Sequence, residues 1–231
     1  MKRRLVLFDI DGTILLSAGA GKRAIYAALA SEVEDTTIWD GIRFDGKTDP
    51  QIVTEMLTAA GQSAPASDRL QVLCDRYVGM LERELEVSGH RTRVLPGVMA
   101  LLDRLEQEAG VVLGLLTGNI APGAALKLRA GRIDPLRFRV GAYGSDSAHR
   151  PELPPIAAAR AEPFFGRRPV GEEIVIIGDT PSDVTCGQPV GARVIAVATG
   201  SYGRAELVAA GASAAFEDLS PTDAVLEAIL R

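Results

Sequence analysis

Four short runs of apolar residues stand out in a chain whose other segments place apolar and polar positions at helical spacing. The runs are continuous rather than alternating, which is typical of strands buried on both faces of a parallel sheet. They cover residues 5–8, 111–116, 174–177 and 194–197. Because helical stretches lie between them, the pattern predicts an α/β fold with a doubly wound parallel sheet and right-handed crossovers.

The interval between the first two runs departs from this alternation. Helical patterns cover residues 20–33, 50–60 and 67–87, and no convincing buried strand lies among them. An all-helical domain inserted into the α/β domain is the economical interpretation, with the chain returning to the sheet near Leu95-Pro96-Gly97. We therefore predict a core domain of residues 1–16 and 95–231 and a helical cap domain of residues 17–94.

Prolines mark three of the predicted helix starts. Each follows a residue whose side chain can cap a helix, in the pairs Asp49-Pro50, Thr180-Pro181 and Ser220-Pro221. Proline is favoured in the first turn, where its missing N–H costs nothing. The pairs therefore predict Asp49, Thr180 and Ser220 as N-cap residues.

Composition and charge limit the classes of partner. Of the 231 residues, 47% are hydrophobic and 24% are charged, which is typical of a globular protein. A net charge of -5 gives no field that would attract nucleic acid or an anionic membrane, so a small molecule is the expected partner. The first apolar run ends at Asp9, too early for a signal peptide, and we predict a cytoplasmic protein. Monomer and homodimer both remain open.

Acidic and hydroxyl side chains follow three of the predicted strands. Asp9 and Asp11 follow the first strand, Thr117 the second, and Asp179 and Asp183 the third. Ligands of an open parallel sheet bind beyond the carboxyl ends of its strands, so we expect these side chains to share one site. Converging carboxylates require a cation, and oxygen ligands without His or Cys favour Mg²⁺.

Beside such an ion, a carboxylate at a strand end can attack phosphorus and form an aspartyl-phosphate. Asp9 is the candidate nucleophile, and Asp11 is the candidate general acid and base. A glycine turn and strand-end amides suit phosphate oxygens, and the transition state needs a fixed cation as well. The candidate phosphate-binding groups are the Thr117 hydroxyl, the backbone amides of Gly118 and Asn119, and the guanidinium of Arg150.

Together these motifs resemble those of the haloacid dehalogenase superfamily, and the layout is most similar to its phosphoglycolate phosphatase-like enzymes. Asp9-Ile10-Asp11-Gly12-Thr13 resembles the nucleophile motif, Thr117 the second motif, and Gly178-Asp179-Thr180-Pro181-Ser182-Asp183 the acidic fourth motif. The resemblance implies a Rossmannoid core and a helical cap that closes over the substrate. It also implies that Asp9 and the backbone carbonyl of Asp11 bind Mg²⁺, with Asp179 and Asp183 completing or supporting the metal shell.

The third motif differs from the family pattern. The family usually has Lys there, often before Pro, whereas this chain has His149-Arg150-Pro151. Arg supplies the charge in a different geometry, so Lys127 and Arg129 remain alternative cations. In the predicted cap, Arg43 and Lys47 lie in a polar loop and are candidates for recognising an anionic substrate.

The leading functional prediction is Mg²⁺-dependent hydrolysis of a small phosphomonoester, similar to phosphoglycolate or a sugar phosphate. The alternative is a phosphomutase of the β-phosphoglucomutase type, in which a closed cap would let the intermediate reorient. A phosphate-ligand sensor without turnover is a third hypothesis, which the intact acidic motifs disfavour.

Overall fold

The computed structural model of the chain describes residues 3–88 and 91–231. Strands and helices alternate outside the interval between the first and fourth strands. The strands are β1 (Arg4–Phe8), β2 (Leu15–Leu16), β3 (Arg93–Val94), β4 (Val111–Thr117), β5 (Val140–Tyr143), β6 (Ile174–Gly178), β7 (Arg193–Val197) and β8 (Ala214–Phe216). The helices are α1 (Ala20–Leu29), α2 (Asp49–Ala59), α3 (Ser67–Ser88), α4 (Val98–Gln107), α5 (Ala121–Ala130), α6 (Leu153–Arg160), α7 (Glu162–Phe165), α8 (Pro181–Gly187), α9 (Arg204–Ala209) and α10 (Thr222–Leu230).

Six strands of the described residues form one parallel sheet, in the order β5-β4-β1-β6-β7-β8. The first strand lies between β4 and β6, with Leu7 opposite Gly114 on one side and Ile176 on the other. The order reverses direction at β1, and this switch point is where an open α/β sheet forms its ligand crevice. The predicted doubly wound α/β fold is confirmed.

Alternate residues of β1 pack on opposite faces of the sheet, since successive side chains of a strand point to opposite sides. Val6 and Phe8 belong to the cluster that includes α4 and α10, whereas Leu5 and Leu7 belong to the cluster beneath α6 and α8. All five residues of β1 are buried. Burial on both faces explains why the strand is a continuous apolar run.

The four predicted strands are present, each within one residue of its expected bounds. Two further strands, β5 and β8, were not predicted. They form the two edges of the sheet and are short, and β8 is only half-buried along its length. An edge strand buries less surface than a central one, so its sequence carries a weaker apolar signal.

The interval between β1 and β4 contains α1, α2 and α3, as predicted, with single 3₁₀ turns at Ala30–Glu32 and Thr36–Trp39. These helices enclose a hydrophobic cluster of their own around Trp39 and Tyr77. A two-residue ribbon, in which β2 pairs with β3 in antiparallel orientation where the chain leaves and rejoins the sheet, was not predicted. Ile120, at the start of α5, also belongs to this cluster, so the three helices pack against the start of α5, next to the end of β4.

The helix starts confirm one N-cap prediction and correct two. Thr180 caps α8 by accepting a hydrogen bond from the Asp183 amide at 3.2 Å. The N-cap of α2 is Thr48 rather than Asp49, because the Thr48 hydroxyl accepts from the Gln51 amide and Asp49 is already helical. Helix α10 begins one residue later than predicted, with Pro221 rather than Ser220 at the N-cap.

Within the part of the chain that the structure describes, no helix has both the length and the apolar character needed to cross a bilayer.

Candidate active site

The predicted site residues meet at the carboxyl ends of three adjacent strands. Asp9 follows β1, Thr117 ends β4 and Asp179 follows β6. They line a cavity of about 360 Å³ between the sheet and helices α1 to α3. A volume of this order accommodates a small metabolite. The polar lining comprises Asp9, Asp11, Ser17, Lys22, Asp45, Lys47, Asp49, Tyr77, Thr117, Asn119, Lys127, Arg150, Asp179 and Thr180.

Three buried carboxylates converge at the base of this cavity. Oxygen atoms of Asp9, Asp179 and Asp183 lie within 4.8 Å of one another. Among the described residues, Asp9 Oδ1 has no hydrogen-bond partner although it is buried. Three buried carboxylates this close together repel one another when they are ionised, and a hard divalent cation would compensate their charge. The donor set therefore fits Mg²⁺.

Hydrogen bonds from neighbouring hydroxyls and amides hold two of these carboxylates in place. The Thr13 hydroxyl donates to Asp179 Oδ1 at 2.9 Å. Thr180 donates to Asp183 Oδ2 twice, through its amide at 3.0 Å and its hydroxyl at 2.7 Å. Asp183 is thus engaged on the α8 side of the cluster, in a position to support the metal shell.

Two glycines leave the space that Asp179 occupies. A Cβ atom on Gly12, whose φ is +84°, would lie 2.6 Å from Asp179 Cγ. A Cβ atom on Gly200 would collide with Asp179 Oδ2. The turn after Asp11 and the loop after β7 therefore require glycine where they meet this carboxylate.

Arg150 is buried against the same cluster, from the short turn that precedes α6. Its Nη2 atom bonds Asp183 Oδ1 and lies 3.3 Å from Asp9 Oδ1. Its Nε has no hydrogen-bond partner among residues 3–88 and 91–231. Arg150 thus brings a fixed positive charge beside Asp9, where the third-motif cation was predicted.

Lys127 faces Asp11 rather than the nucleophile candidate. Its buried Nζ lies 2.6 Å from Asp11 Oδ2, and the Asn119 side-chain amide donates to the same oxygen at 2.7 Å. Arg129, the other alternative cation, is exposed on α5 and is not part of the cavity lining. Arg150 and Lys127, which are buried beside the cavity, therefore serve different carboxylates, those of Asp9 and Asp11.

The segment from Thr117 to Asn119 presents polar groups to the cavity. Thr117 Oγ1 accepts from the Asn119 side chain at 2.9 Å, and the Thr117 side chain also forms a hydrogen bond with Asp9. Gly118 contacts the backbone carbonyl of Lys47 so closely that a Cβ would collide with it. The Gly118 carbonyl accepts from the Asp49 amide at 2.8 Å. These contacts join the loop before α2 to the strand end.

Burial changes the acid–base properties of the cluster. Desolvation, opposed by the nearby Arg150 and reinforced by Asp183 and Asp11, raises the pKa of Asp9 to about 7. Desolvation and the charges of Asp183 and Asp9 raise the pKa of Asp179 well above its usual value. A bound cation would reverse both shifts, because it favours the ionised carboxylates.

Comparison with known proteins agrees with this geometry. Residues 6–188 match the family model of haloacid dehalogenase-like hydrolases. The chain belongs to this family. A phosphoglycolate phosphatase of Cereibacter sphaeroides is 29% identical over 192 residues, which cover 81% of this chain and 82% of the relative. Two predictions are therefore confirmed: that the chain belongs to the haloacid dehalogenase-like family, and that it is a phosphatase.

Solved structures share the fold across nearly the whole chain. A hydrolase from Pseudomonas syringae superimposes with a TM-score of 0.72 at 24% identity, covering 97% of this chain and 98% of the other. CbbY from Rhodobacter sphaeroides, solved in complex with phosphate, gives a TM-score of 0.72 at 19% identity and covers 94% and 95% of the two chains.

In this haloacid dehalogenase-like hydrolase, the two predicted substrate-recognition residues of the helical segment differ in placement. Lys47 lines the cavity and forms an ion pair with Glu55. Arg43 instead lies outside that lining, where its Nη2 is 3.3 Å from both Asp45 Oδ2 and the Tyr202 hydroxyl. Arg43 therefore bridges the helical segment and the loop after β7.

Asp49 and Tyr77 are among the cavity residues that were not predicted as part of the site. Asp49 was assigned to a cap, but its carboxylate is buried and accepts a hydrogen bond from the Ile120 amide at 2.9 Å. Thr48, a second residue that can cap the helix, was the available sign that Asp49 is free for another role. Tyr77 lies on α3 at core spacing, and an aromatic residue at such a position indicates packing, so sequence gave no signal for it.

Proposed function

We propose that this hydrolase is a Mg²⁺-dependent phosphatase that cleaves a small phosphomonoester through an aspartyl-phosphate on Asp9. The observation that carries the proposal is the buried Asp9 carboxylate at the strand end, which lies beside both Arg150 and the Asp179–Asp183 pair. Such a carboxylate combines a nucleophilic oxygen with a fixed cation and a place for a metal.

Asp9, Asp179, Asp183 and the backbone carbonyl of Asp11 would hold the Mg²⁺ ion. When bound, the ion would neutralise charge on the carboxylates and on the phosphoryl oxygens. Arg150 contributes a second, permanent positive charge at the same end of the cavity. The Thr117 hydroxyl and the amides of the residues after it bind further phosphate oxygens.

The reaction proceeds in two displacements at phosphorus. An Asp9 oxygen forms a bond to phosphorus while the ester P–O bond breaks, and Asp11 protonates the departing alkoxide. Asp11 then takes a proton from water, which attacks the phosphoryl group and breaks its bond to Asp9. Lys127 and Asn119 orient Asp11 for both transfers through their bonds to its Oδ2 atom.

Residues 17–94 act as the cap over this chemistry, and residues 1–16 and 95–231 act as the core. The loop before α2 already rests on the core, since a Cβ on Gly46 would lie 2.5 Å from Ser182 Oγ and 3.0 Å from Thr180 Oγ1. A cap in this position limits the access of water to the phosphoryl-enzyme before the leaving group departs.

The relatives support a small phosphorylated substrate. One is named a phosphoglycolate phosphatase, and the CbbY structures contain phosphate or xylulose-(1,5)bisphosphate. The cavity volume agrees with substrates of this size.

Phosphate release from a panel of phosphomonoesters, with and without Mg²⁺, tests the proposal. We expect wild-type turnover to require Mg²⁺ and the Asp9→Asn variant to lose it, because an amide cannot act as the nucleophile. Asp75→Asn, on the exposed side of α3, is the matched control and should retain turnover. Activity of Asp9→Asn at the wild-type level would refute the covalent mechanism, and turnover that requires a sugar bisphosphate would favour the mutase alternative.

A further inference from the structure

Helices α2 and α3 contribute two polar side chains to the cavity that the proposed chemistry does not use, those of Asp49 and Tyr77. Tyr77 of α3 is fully buried and lines the cavity. Within the described residues its hydroxyl has no hydrogen-bond partner. A buried hydroxyl without a partner is destabilising, so a ligand that completes its hydrogen bonds would be stabilised there.

Lys127 and Tyr77 converge on one point beside Gly21. A Cβ atom placed on Gly21 would lie 3.2 Å from Lys127 Nζ and 3.7 Å from the Tyr77 hydroxyl. Gly21 also lines the cavity, so its missing side chain leaves room between the two donors. A ligand group next to Gly21 could reach both of them.

Asp49 supplies an acceptor to the same region. Its Oδ2 accepts the Ile120 amide hydrogen, which leaves Oδ1 for a ligand. Desolvation, opposed chiefly by the charge of Lys127, raises the pKa of Asp49 to about 6. The nearby Lys127 ammonium favours the ionised form of Asp49, which accepts hydrogen bonds.

On the basis of the proposed phosphatase function, we propose that Tyr77, Lys127 and Asp49 form a leaving-group subsite for phosphate esters of uncharged, hydroxylated compounds. The Lys127 ammonium is already bonded to the Asp11 carboxylate, and the charges of Asp49 and Asp9 act on it as well. A carboxylate on the leaving group would add a further negative charge beside Asp49, at a buried position. A hydroxyl instead donates to Asp49 and accepts from Lys127 or Tyr77. The subsite therefore disfavours glycolate, the leaving group named for the Cereibacter sphaeroides relative.

Three phosphate esters with two-carbon leaving groups test the preference for an uncharged, hydroxylated leaving group. They are 2-hydroxyethyl phosphate, phosphoglycolate and ethyl phosphate, which end in a hydroxymethyl, a carboxylate and a methyl group. With Mg²⁺ present, we expect wild-type kcat/KM to be highest for 2-hydroxyethyl phosphate. A kcat/KM for phosphoglycolate equal to or above that for 2-hydroxyethyl phosphate would overturn the proposal.

Asp49→Asn tests the acceptor. The substitution should lower kcat/KM for 2-hydroxyethyl phosphate relative to ethyl phosphate by about tenfold or more, the effect of losing a hydrogen bond to a charged group. The substitution should also bring the kcat/KM values for 2-hydroxyethyl phosphate and phosphoglycolate closer together, because the negative charge that repels the glycolate carboxylate is gone. Asp75→Asn serves again as the control, and an unchanged ratio in Asp49→Asn would reject its role.

Tyr77→Phe separates binding from packing. The Tyr77 hydroxyl has no protein partner among the described residues, so its removal should leave the melting temperature unchanged or raise it. We expect kcat/KM for 2-hydroxyethyl phosphate to fall about threefold to tenfold. Tyr143→Phe, outside the cavity on β5, is the control. A lower melting temperature with unchanged kcat/KM would mean that Tyr77 is a core residue only.

Calorimetric titration of Asp9→Asn with the same esters distinguishes the two proposals. Tighter binding of 2-hydroxyethyl phosphate without any wild-type turnover would contradict the phosphatase mechanism and support the subsite. Wild-type turnover of all three esters, with no difference in affinity among them, would contradict the subsite alone.

Discussion

At the residue scale, the site depends as much on glycines as on charged side chains. The carboxylates were predictable, because residues at the carboxyl ends of adjacent parallel strands must meet. The space for Asp179 was not, since Gly12 and Gly200 come from loops that are far apart in sequence. The partner of Lys127 was equally hidden, because the side of α5 that faces Asp11 depends on tertiary packing.

Gly200→Ala should impair the site without unfolding the protein. The added methyl group would collide with Asp179 Oδ2, and a displacement of this kind can lower kcat/KM on the order of a hundredfold. Steady-state kinetics over a range of Mg²⁺ concentrations measures the loss. Gly79→Ala is the matched control, because open space surrounds that position on α3 and the change should stabilise the helix by about 0.5–1 kcal/mol. Equal kinetics in both variants would contradict the role of Gly200.

Arg150→Ala should weaken both the fold and phosphate binding. Removing one partner of a buried ion pair leaves Asp183 and Asp9 uncompensated, at a cost of about 3–5 kcal/mol. Urea unfolding measures this cost, and the inhibition constant of inorganic phosphate should rise. Arg150→Lys, which restores the residue usual in the family, should recover part of both quantities. An unchanged phosphate inhibition constant in Arg150→Ala would exclude a role in phosphate binding.

At the element scale, central strands and long helices followed from periodicity, whereas edges and junctions did not. Strands β5 and β8 are short and lie at the sheet edges, so their apolar signal is weak. The start of α2 was misplaced by one residue because both Thr48 and Asp49 can cap a helix. Tertiary contacts decide between them, since the Thr48 hydroxyl also donates to the Ala148 carbonyl at 2.8 Å.

Thr48→Ala should lower the free energy of unfolding by about 1–2 kcal/mol, because one hydroxyl both caps α2 and bonds the Ala148 carbonyl. Thr48→Ser keeps the hydroxyl and should lose much less. Thr58→Ala, which removes an exposed hydroxyl from the same helix, provides the comparison. A loss no larger in Thr48→Ala than in Thr58→Ala, measured by urea denaturation, would show that the junction contributes little.

At the scale of the whole molecule, buried acids make stability depend on both pH and metal. The pKa of Asp9 rises from 3.8 to about 7 on folding. Between these values the folded state retains a proton that the unfolded state releases, so the contribution of Asp9 to stability falls as pH increases. Mg²⁺ requires the ionised carboxylate and therefore stabilises the protein most above this window.

We expect the rise in melting temperature caused by Mg²⁺ to be larger at about pH 8 than at about pH 5. Differential scanning calorimetry with and without Mg²⁺ measures both values. Asp9→Asn carries no titrating group at this position, so its metal-induced shift should be smaller and less dependent on pH. A shift that is greatest at acidic pH in the wild type would contradict the assignment of Asp9 as a metal ligand.

The two hydrogen bonds between the start of α2 and the strand end have a kinetic consequence. The amide of Asp49 donates to the Gly118 carbonyl, and the amide of Ile120 donates to the Asp49 carboxylate. A movement that separates the start of α2 from the strand end, and so opens the cavity there, must break both hydrogen bonds. The exchange of these two amide hydrogens with deuterium therefore reports how often the entrance opens, and it should slow when inorganic phosphate and Mg²⁺ are bound.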